Sequence, residues 1–386
     1  MKKGFRYIDL FAGIGGFHLA MDELGGKCVF ASEIDNFAIE TYSENFGVNS
    51  SFDITKVHED TIPEHEVLCA GFPCQAFSKA GKQSGLYDTR GTLFFEIERI
   101  LRKHKTKYII LENVRNLVSH DRGNTWNVII NTLKDIGYRT TEKPLIISPH
   151  SFGIPQLRER VFILGIYDPI NVSIPLKIDL PKLKRKSDNS IYSVLESIVG
   201  EDYKISDHET YVLNAWDEFY AGIKEDIIGF PIWFDWFKKK PEEEFAGWKK
   251  DFIEKNNNLY LNNKEFIESW ILKYRNLEDF TPTQRKFEWQ AGTRIKSLWE
   301  GVIQFRPSGV RVKYPDCFPA LVAIVQVPII GKYKRRLTVR ESARLQSFPD
   351  SFEPNPISAK AYKQFGNAVN VNIVSVLATE LFKIQC

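Results

Sequence analysis

One cysteine in this chain is placed for chemistry. Gly71-Phe72-Pro73-Cys74-Gln75-Ala76-Phe77-Ser78 follows the apolar run Glu66-Val67-Leu68-Cys69-Ala70. That run reads as a short buried strand stopped by Gly and Pro. In open α/β sheets the loop beyond a strand's carboxyl end is where ligands bind, so Cys74 is a candidate nucleophile on a loop. Cys69, inside the run, reads as a small core hydrophobe. Glu112 closes a second apolar run, Lys107 to Leu111, and so stands on the same sheet edge. A carboxyl there exchanges a proton usefully if its surroundings raise its pKa. Arg158 and Arg160, two apart on an extended chain, point the same way, and paired guanidiniums suit a phosphate or a base carbonyl.

These groups need a scaffold. Phe5 to Phe11 reads as a strand, Ala12-Gly13-Ile14-Gly15-Gly16 as a tight turn, and Phe17 to Met21 as the start of a helix. Strand, Gly-rich turn and helix make a cofactor cradle, because the glycines admit a ligand close to the backbone and the helix start attracts negative charge. His18 stands where the third Gly of a dinucleotide fingerprint would be. A second strand, Lys27 to Ala31, ends near Glu33, at the distance where an acid meets ribose hydroxyls. Asp35 reads equally as a pocket residue or a helix N-cap. Asp53 and Ile54 close a third side of the same pocket. Lys79 to Gly91 reads as a loop over the site, Thr92 to His104 as a helix, and Tyr138 to Ser148 and Val161 to Ile166 as strands.

The chain changes character after about residue 170. Lys177 to Lys186 reads as a basic linker. Seven of the eight tryptophans then follow, which marks a separate module whose tryptophans are by default core. Lys332 to Arg344 is the densest basic segment; Thr338 and Glu341 form a capping box that starts a helix. Gln364 to Val369 reads as a turn before a C-terminal helix of about residues 371 to 383. The net charge of +3 neither demands nor excludes nucleic acid. Five cysteines without a C-x-x-C pair argue against a disulfide framework and a cysteine zinc site, and the expectation is no metal. The apolar stretch Cys317 to Ile330 is too short and too interrupted by Pro to span a bilayer.

Taken in order, Asp9-Leu10-Phe11-Ala12-Gly13-Ile14-Gly15-Gly16, Gly71-Phe72-Pro73-Cys74-Gln75, Glu112-Asn113-Val114, Gln156-Leu157-Arg158-Glu159-Arg160, Arg340-Glu341-Ser342-Ala343-Arg344-Leu345-Gln346 and Gly366-Asn367-Ala368-Val369 resemble the motif set of the DNA cytosine-5 methyltransferases of bacterial restriction-modification type. The resemblance covers about residues 5 to 166 and 335 to 375. It implies an α/β fold: a Rossmann-like methyltransferase domain, with a mixed, mostly parallel sheet and helices on both faces, plus a smaller target-recognition domain. The expected division is 1–175 with 358–386 for the catalytic domain and 176–357 for the small one, whose variable region is about 170–335. The large domain is then discontinuous, with DNA in the cleft between the two.

The resemblance further implies S-adenosylmethionine as methyl donor, S-adenosylhomocysteine as product, and a cytosine flipped out of duplex DNA. Cys74 would add to ring carbon 6, Glu112 would serve ring nitrogen 3, and Arg160 with Arg158 would hold the base carbonyl and backbone. Phe11, Gly13, Gly15, Glu33, Ile34, Asp53, Ile54, Asn367 and Val369 would contact the donor. Gln75, Ser78, Arg335, Arg336, Arg340 and Arg344 would contact DNA. Position 368 is Ala where the family commonly has Ser. The expected setting is a cytoplasmic, nucleoid-associated monomer without membrane contact, acting beside a separate restriction endonuclease or as a solitary methyltransferase. Three rivals stand beside this reading. A tRNA-methylating relative would usually carry Cys-Phe-Thr in its variable region and Pro-Pro-Cys at the loop, and neither is present. A catalytically silent DNA-binding relative would not need Cys74, Glu112 and Arg160 together. A nicotinamide oxidoreductase leaves the Cys74 loop unexplained.

Overall fold

The computed structural model describes residues 4–73, 93–179, 190–227, 230–321 and 326–384. Cys74, Gln75, Ser78 and the 79–91 loop lie outside them. The chain forms two compact units, one of residues 1–189, 320–324 and 342–386, the other of residues 190–319 and 325–341.

The first unit is built on a seven-stranded sheet. Its strands are β1 (Arg6–Leu10), β2 (Lys27–Ser32), β3 (Val67–Gly71), β4 (Tyr108–Val114), β5 (Tyr138–Thr140), β6 (Leu145–Ile147) and β7 (Arg160–Tyr167). The order is β2-β1-β3-β4-β7-β5, with β6 also on β7. Strands β1 to β4 pair in parallel, and β7 runs antiparallel to β4, β5 and β6. Only β7 therefore opposes the common direction, so the sheet is mixed but mostly parallel. Strands β1, β3 and β4 are buried along almost their whole length, as expected of a parallel sheet covered on both faces. Helices α1 (Gly16–Glu23), α2 (Asn36–Phe46), α3 (Leu93–His104) and α4 (Asn124–Asp135) supply the cover. The single strand expected over Tyr138 to Ser148 is two short ones, because Thr141 to Pro144 turn the chain; the Thr141 hydroxyl donates to the Lys143 carbonyl at 2.9 Å.

The C-terminal segment completes this unit. Residues 364–367, expected as a turn, are the last turn of the helix Ser358–Asn367, and the reversal comes one step later, at Ala368 to Asn370. Asn370 caps the helix Val371–Lys383 through Ile373 N–H. That helix lies on α1: the Ser375 hydroxyl donates to Glu23 at 2.8 Å, and Phe382 meets the rings of Phe5 and Tyr108. Ser358–Lys383 is long and apolar enough to cross a membrane by length and composition alone, but it is largely buried. Residues 342–357, expected in the small domain, fall in the first unit. Their polar groups explain this: Asn370 donates to the Leu345 carbonyl, Val371 N–H to the Gln346 carbonyl, and the Gln346 amide to buried Gln156.

The second unit has a six-stranded sheet of β8 (Ile232–Trp233), β9 (Lys286–Gln290), β10 (Val302–Arg306), β11 (Gly309–Lys313), β12 (Ile329–Ile330) and β13 (Arg335–Arg336), in the order β13-β12-β10-β11-β9-β8. Helices α5 (Asp207–Gly222), α6 (Gly247–Asn262) and α7 (Lys264–Lys273) contribute Trp216, Phe219, Leu259 and Trp270 to one core with Phe287, Trp289, Val310 and Val312 of the strands. Trp216 stacks on Phe287 with ring centroids 5.0 Å apart. The indoles of Trp216 and Trp270 donate to the carbonyls of Gln284 and Ala215, both at 2.8 Å, which is how large buried indoles satisfy their N–H. Most of the tryptophans are thus core, while Trp248 stands exposed.

Candidate active site

The strand ends of β1 to β4 open on a cavity of about 510 Å³ within the first unit. Each wall comes from a turn that follows a strand. After β1 the chain climbs through Phe11 and Gly13, both in the left-handed region (φ 56°). An aromatic residue rarely occupies that region, and strain of this kind collects at functional sites. Gly13 then presents its N–H to Glu33 Oε2 at 2.8 Å. Glu33 Oε1 accepts from the N–H groups of Ile34 and Asp35 at 2.7 and 2.9 Å. A carboxylate offers about four acceptor sites, so Oε2 retains one. Ile34 is 74 % exposed, an apolar side chain held out on the cavity wall.

Asp35 lines the cavity and also caps α2, accepting from Phe37 and Ala38. Both readings of that residue hold. Asp53 turns its own backbone: its carboxylate accepts from the Thr55 hydroxyl at 2.7 Å and meets Lys56 at 3.1 Å. The Thr55 hydroxyl bond is the chief cause that holds this carboxyl below the usual range. Asp53 and Ile54 both line the cavity. Gly15 and Val369 do not. Gly15 (φ 87°) lies against Phe46, where a Cβ would sit 2.2 Å from the ring, and a Cβ on Gly16 would sit 2.7 Å from the Val369 carbonyl oxygen. These two positions shape the cradle from behind. Asn367 is exposed and lines the cavity.

On the far side stand Glu112, Arg160 and Arg158. Arg160 Nε lies 3.0 Å from Glu112 Oε1, with the carboxyl side chain only 12 % exposed. Burial raises the Glu112 pKa, and Arg160 and then Arg158 oppose that rise. The two arginines differ in use. Arg158 is buried and donates to the carbonyls of Leu321, Gly366 and Ala368 at 3.0, 2.8 and 3.0 Å. These three bonds staple the C-terminal turn, and Arg158 also lines the cavity. Burial brings its guanidinium down to about 9, with help from neighbouring Arg160. Arg160 lines the cavity too, and its Nη1 donates to the Glu159 carbonyl at 2.9 Å.

Three features escaped the reading of the sequence. Asn113 donates to the Phe72 carbonyl at 2.8 Å, so the ends of β3 and β4 are tied just before Cys74; its place beside Glu112 was the available signal. Buried Gln364 donates to the Phe37 carbonyl at 2.9 Å and joins the helix Ser358–Asn367 to α2. Asp9 is fully buried, and among the described residues only the His18 backbone N–H approaches its carboxyl group, too loosely for a well-formed hydrogen bond. Burial, then the charge of Glu33, pushes its carboxyl well above the usual range.

The basic segment is less available than its composition implies. Arg335 is 8 % exposed and grips Glu341 with both guanidinium nitrogens, at 2.9 and 2.6 Å. Glu341 also caps Thr338 N–H at 2.9 Å, and its own N–H reaches the Thr338 hydroxyl at 3.0 Å, which completes the predicted capping box. Arg335 is therefore an internal brace, not a DNA contact. Arg336 pairs with Glu209, and Arg344 with Asp350 at 2.6 Å. No cluster of three or more metal-ligating side chains occurs among the described residues.

Comparison with known proteins agrees on one kinship. Residues 5–383 match the family described as C-5 cytosine-specific DNA methylase. The chain is similar to the type II methyltransferase M.HpaII of Haemophilus parainfluenzae, 36 % identical over 389 residues that span 99 % of this chain and 90 % of that one. It is similar to M.AluI of Cellulosimicrobium cellulans (34 %, 97 % and 91 %) and to M.HhaI of Haemophilus parahaemolyticus (32 %, 97 % and 93 %). Among solved structures, a putative DNA modification methyltransferase of an E. coli prophage aligns with a TM-score of 0.56 at 21 % identity, over 98 % of this chain and 99 % of that one. A Spodoptera frugiperda DNMT2 variant aligns with 0.58 at 20 %, over 98 % and 100 %. Those two likenesses bear on the fold alone.

Proposed function

The chain belongs to the C-5 cytosine-specific DNA methylases, and on that premise we propose that it moves a methyl group from S-adenosylmethionine to carbon 5 of a cytosine flipped out of a short duplex sequence, as the protective methylase of a restriction-modification pair. The observation that carries this reading is the one cavity lined both by a ribose-type acceptor, Glu33, and, on its far side, by a largely buried acid, Glu112, braced by Arg160.

The residues present fit the donor. Glu33 Oε2 keeps one acceptor site for a ribose hydroxyl, Phe11 and Ile34 offer apolar faces for an adenine, and Asp53 stands at the rim for its amino group. Bound there, S-adenosylmethionine supplies an electrophilic methyl group. The chain's residues make cytosine able to take it. The Cys74 thiolate forms a bond to ring carbon 6, and the electron pair of the 5,6 double bond moves to carbon 5. Glu112, whose pKa burial raises, gives its proton or a hydrogen bond to nitrogen 3, which draws charge through the ring. Arg160 steadies the carboxylate that remains. After transfer a base removes the carbon-5 proton, the double bond re-forms, the Cys74 sulfur leaves, and any proton given to nitrogen 3 returns to Glu112. An unactivated pyrimidine needs both a soft nucleophile and an acid on the opposite ring atom. Flipping costs a few kcal/mol, least for a base with weak stacking, and pocket contacts must offset it.

The test is an assay with labelled S-adenosylmethionine on duplex DNA and tRNA side by side, with bisulfite sequencing of the DNA. Label at cytosine within one short motif is expected. Label in tRNA alone would overturn the substrate, and no label with the donor still bound would overturn the activity.

A further inference from the structure

The sheet of the second unit has two unlike faces. One carries Phe287, Trp289, Val310, Val312 and Ile303 into the core beneath α5 to α7. Residues alternate along a strand, so the register assigns the other face. One row runs Lys286, Gly309, Arg306; the next runs Glu288, Arg311, Gln304; a third runs Gln290, Lys313, Val302. Four cations thus share a face with one carboxylate, Glu288.

That carboxylate is already committed. Glu288 Oε2 accepts from Arg311 Nε at 2.9 Å, and its other oxygen accepts from the Gln290 amide. Arg306 keeps a buried Nη1 with no partner, and Trp233, paired with Lys286 across β8 and β9, keeps a buried Nε1–H with none. Asp316 pairs with Arg294 at 3.7 Å. Burial, then repulsion from Arg311, lowers the pKa values of both Arg306 and Lys313. A folded chain leaves donors and like charges crowded in this way at a cost. The cost is understandable when an anion arrives to satisfy them. The donors lie in rows over two strands, which suits a polyanion better than one small ion.

We infer that this face of the second unit's sheet is a DNA-backbone surface, in which Arg306, Arg311 and Lys313 take phosphates of the target duplex. The inference rests on the proposed reading of the protein as a DNA methylase and names residues in the variable region for it. Arg311 is held in place by Glu288 through Nε, whereas among the described residues Arg306 and Lys313 form no ion pair with a carboxylate of their own. Contacts of this kind set register and affinity without reading sequence.

The experiment measures duplex binding by fluorescence anisotropy across a salt series, for the full chain and for the double variant Arg306→Gln/Lys313→Gln. The control is Lys264→Gln on α7, an exposed lysine that loses the same kind of charge. Each phosphate contact contributes about 0.9 to the slope of log affinity against log salt. The double variant should therefore lose roughly 1.8 of that slope and bind at least about tenfold more weakly at low salt, whatever the sequence. The Lys264→Gln variant should match the parent. Should the double variant fail to melt cooperatively, Lys313→Gln alone should show half the slope change. An unchanged slope overturns the inference, and so does a change confined to sequence preference. Failure of the methylase reading is separate: DNA without label in the parent, together with the slope change, would keep the surface and remove the activity.

Discussion

The two edges of the seven-stranded sheet use similar residues for opposite ends. At the amino edge, ahead of β3 and β4, His65 Nδ1 meets the Pro63 carbonyl at 2.7 Å and Nε2 meets the Thr106 hydroxyl at 2.9 Å. Tyr138 donates to the Thr106 carbonyl at 2.8 Å, and His104 Nε2 meets the Glu59 carbonyl at 2.9 Å. Arg6 and Glu66 pair beside them. The atoms named here have protein partners, while His104 Nδ1 makes no hydrogen bond among the described residues. At the carboxyl edge Glu33, Glu112 and Arg160 keep part of their bonding capacity facing a cavity. The same chemical groups stabilise where they are satisfied and react where they are left partly unsatisfied.

This contrast can be broken by substitution. Replacing Cys74 with Ala should abolish methyl transfer, since the covalent step has no substitute, yet leave binding of S-adenosylhomocysteine intact; calorimetry beside the label assay checks both, and residual turnover near the parent level would remove the nucleophile. Glu112→Gln preserves size but holds no transferable proton. Turnover should fall by about 10²–10⁴ with an unchanged melting temperature, and an equal rate would reduce Glu112 to architecture. Arg158 and Arg160 divide the edge itself. Arg158→Ala leaves three carbonyls without their donor and should destabilise the fold by roughly 3 kcal/mol, with weaker donor binding. Arg160→Ala should slow transfer while leaving urea midpoints alone. Matching stability losses in the two variants would erase the distinction drawn between them.

The amino edge answers to pH instead. Burial, reinforced by neighbouring His104, lowers His65 to about 4, against an ordinary value of 6.5. The unfolded chain therefore takes up the proton first as pH falls. Stability is full above about pH 6.5 and declines until the folded form protonates near 4, a loss of roughly 3 kcal/mol at about 1.4 per unit. Urea melts of the parent and His65→Gln at pH 7.5 and 5 check this: the variant should lose less stability between the two. Equal losses would place the acid sensitivity elsewhere.

Much of the carboxyl edge was legible because its signals are local. Gly13 and Gly15 mark a turn within five residues, and Glu112 closes its own strand. The role of Arg158 was not legible. Its acceptors lie 163, 208 and 210 residues away, and no local pattern encodes such a distance. Two apart on a strand, Arg158 and Arg160 look equivalent until the C-terminal turn claims one of them. Arg335 misled for a related reason: a basic run signals an exposed patch by composition, while Glu341 six residues on converts it to a brace. Gln364 to Val369 was read as a turn from Gly366 and Asn367, yet burial of Phe365 and Gln364 carries the helix through Gly366.

The dependence of the cavity on the C-terminal turn also sets a schedule. The walls from Phe11 to Arg160 leave the ribosome early, while Gly366 and Ala368, which Arg158 holds, are made some 200 residues later. At about 5–20 residues per second, the nascent first unit waits roughly 10–40 s with α1 uncovered by its C-terminal helix. During that interval the chain can neither close the cavity nor cover α1, so the site is assembled only once the residues up to the helix Val371–Lys383 have been made.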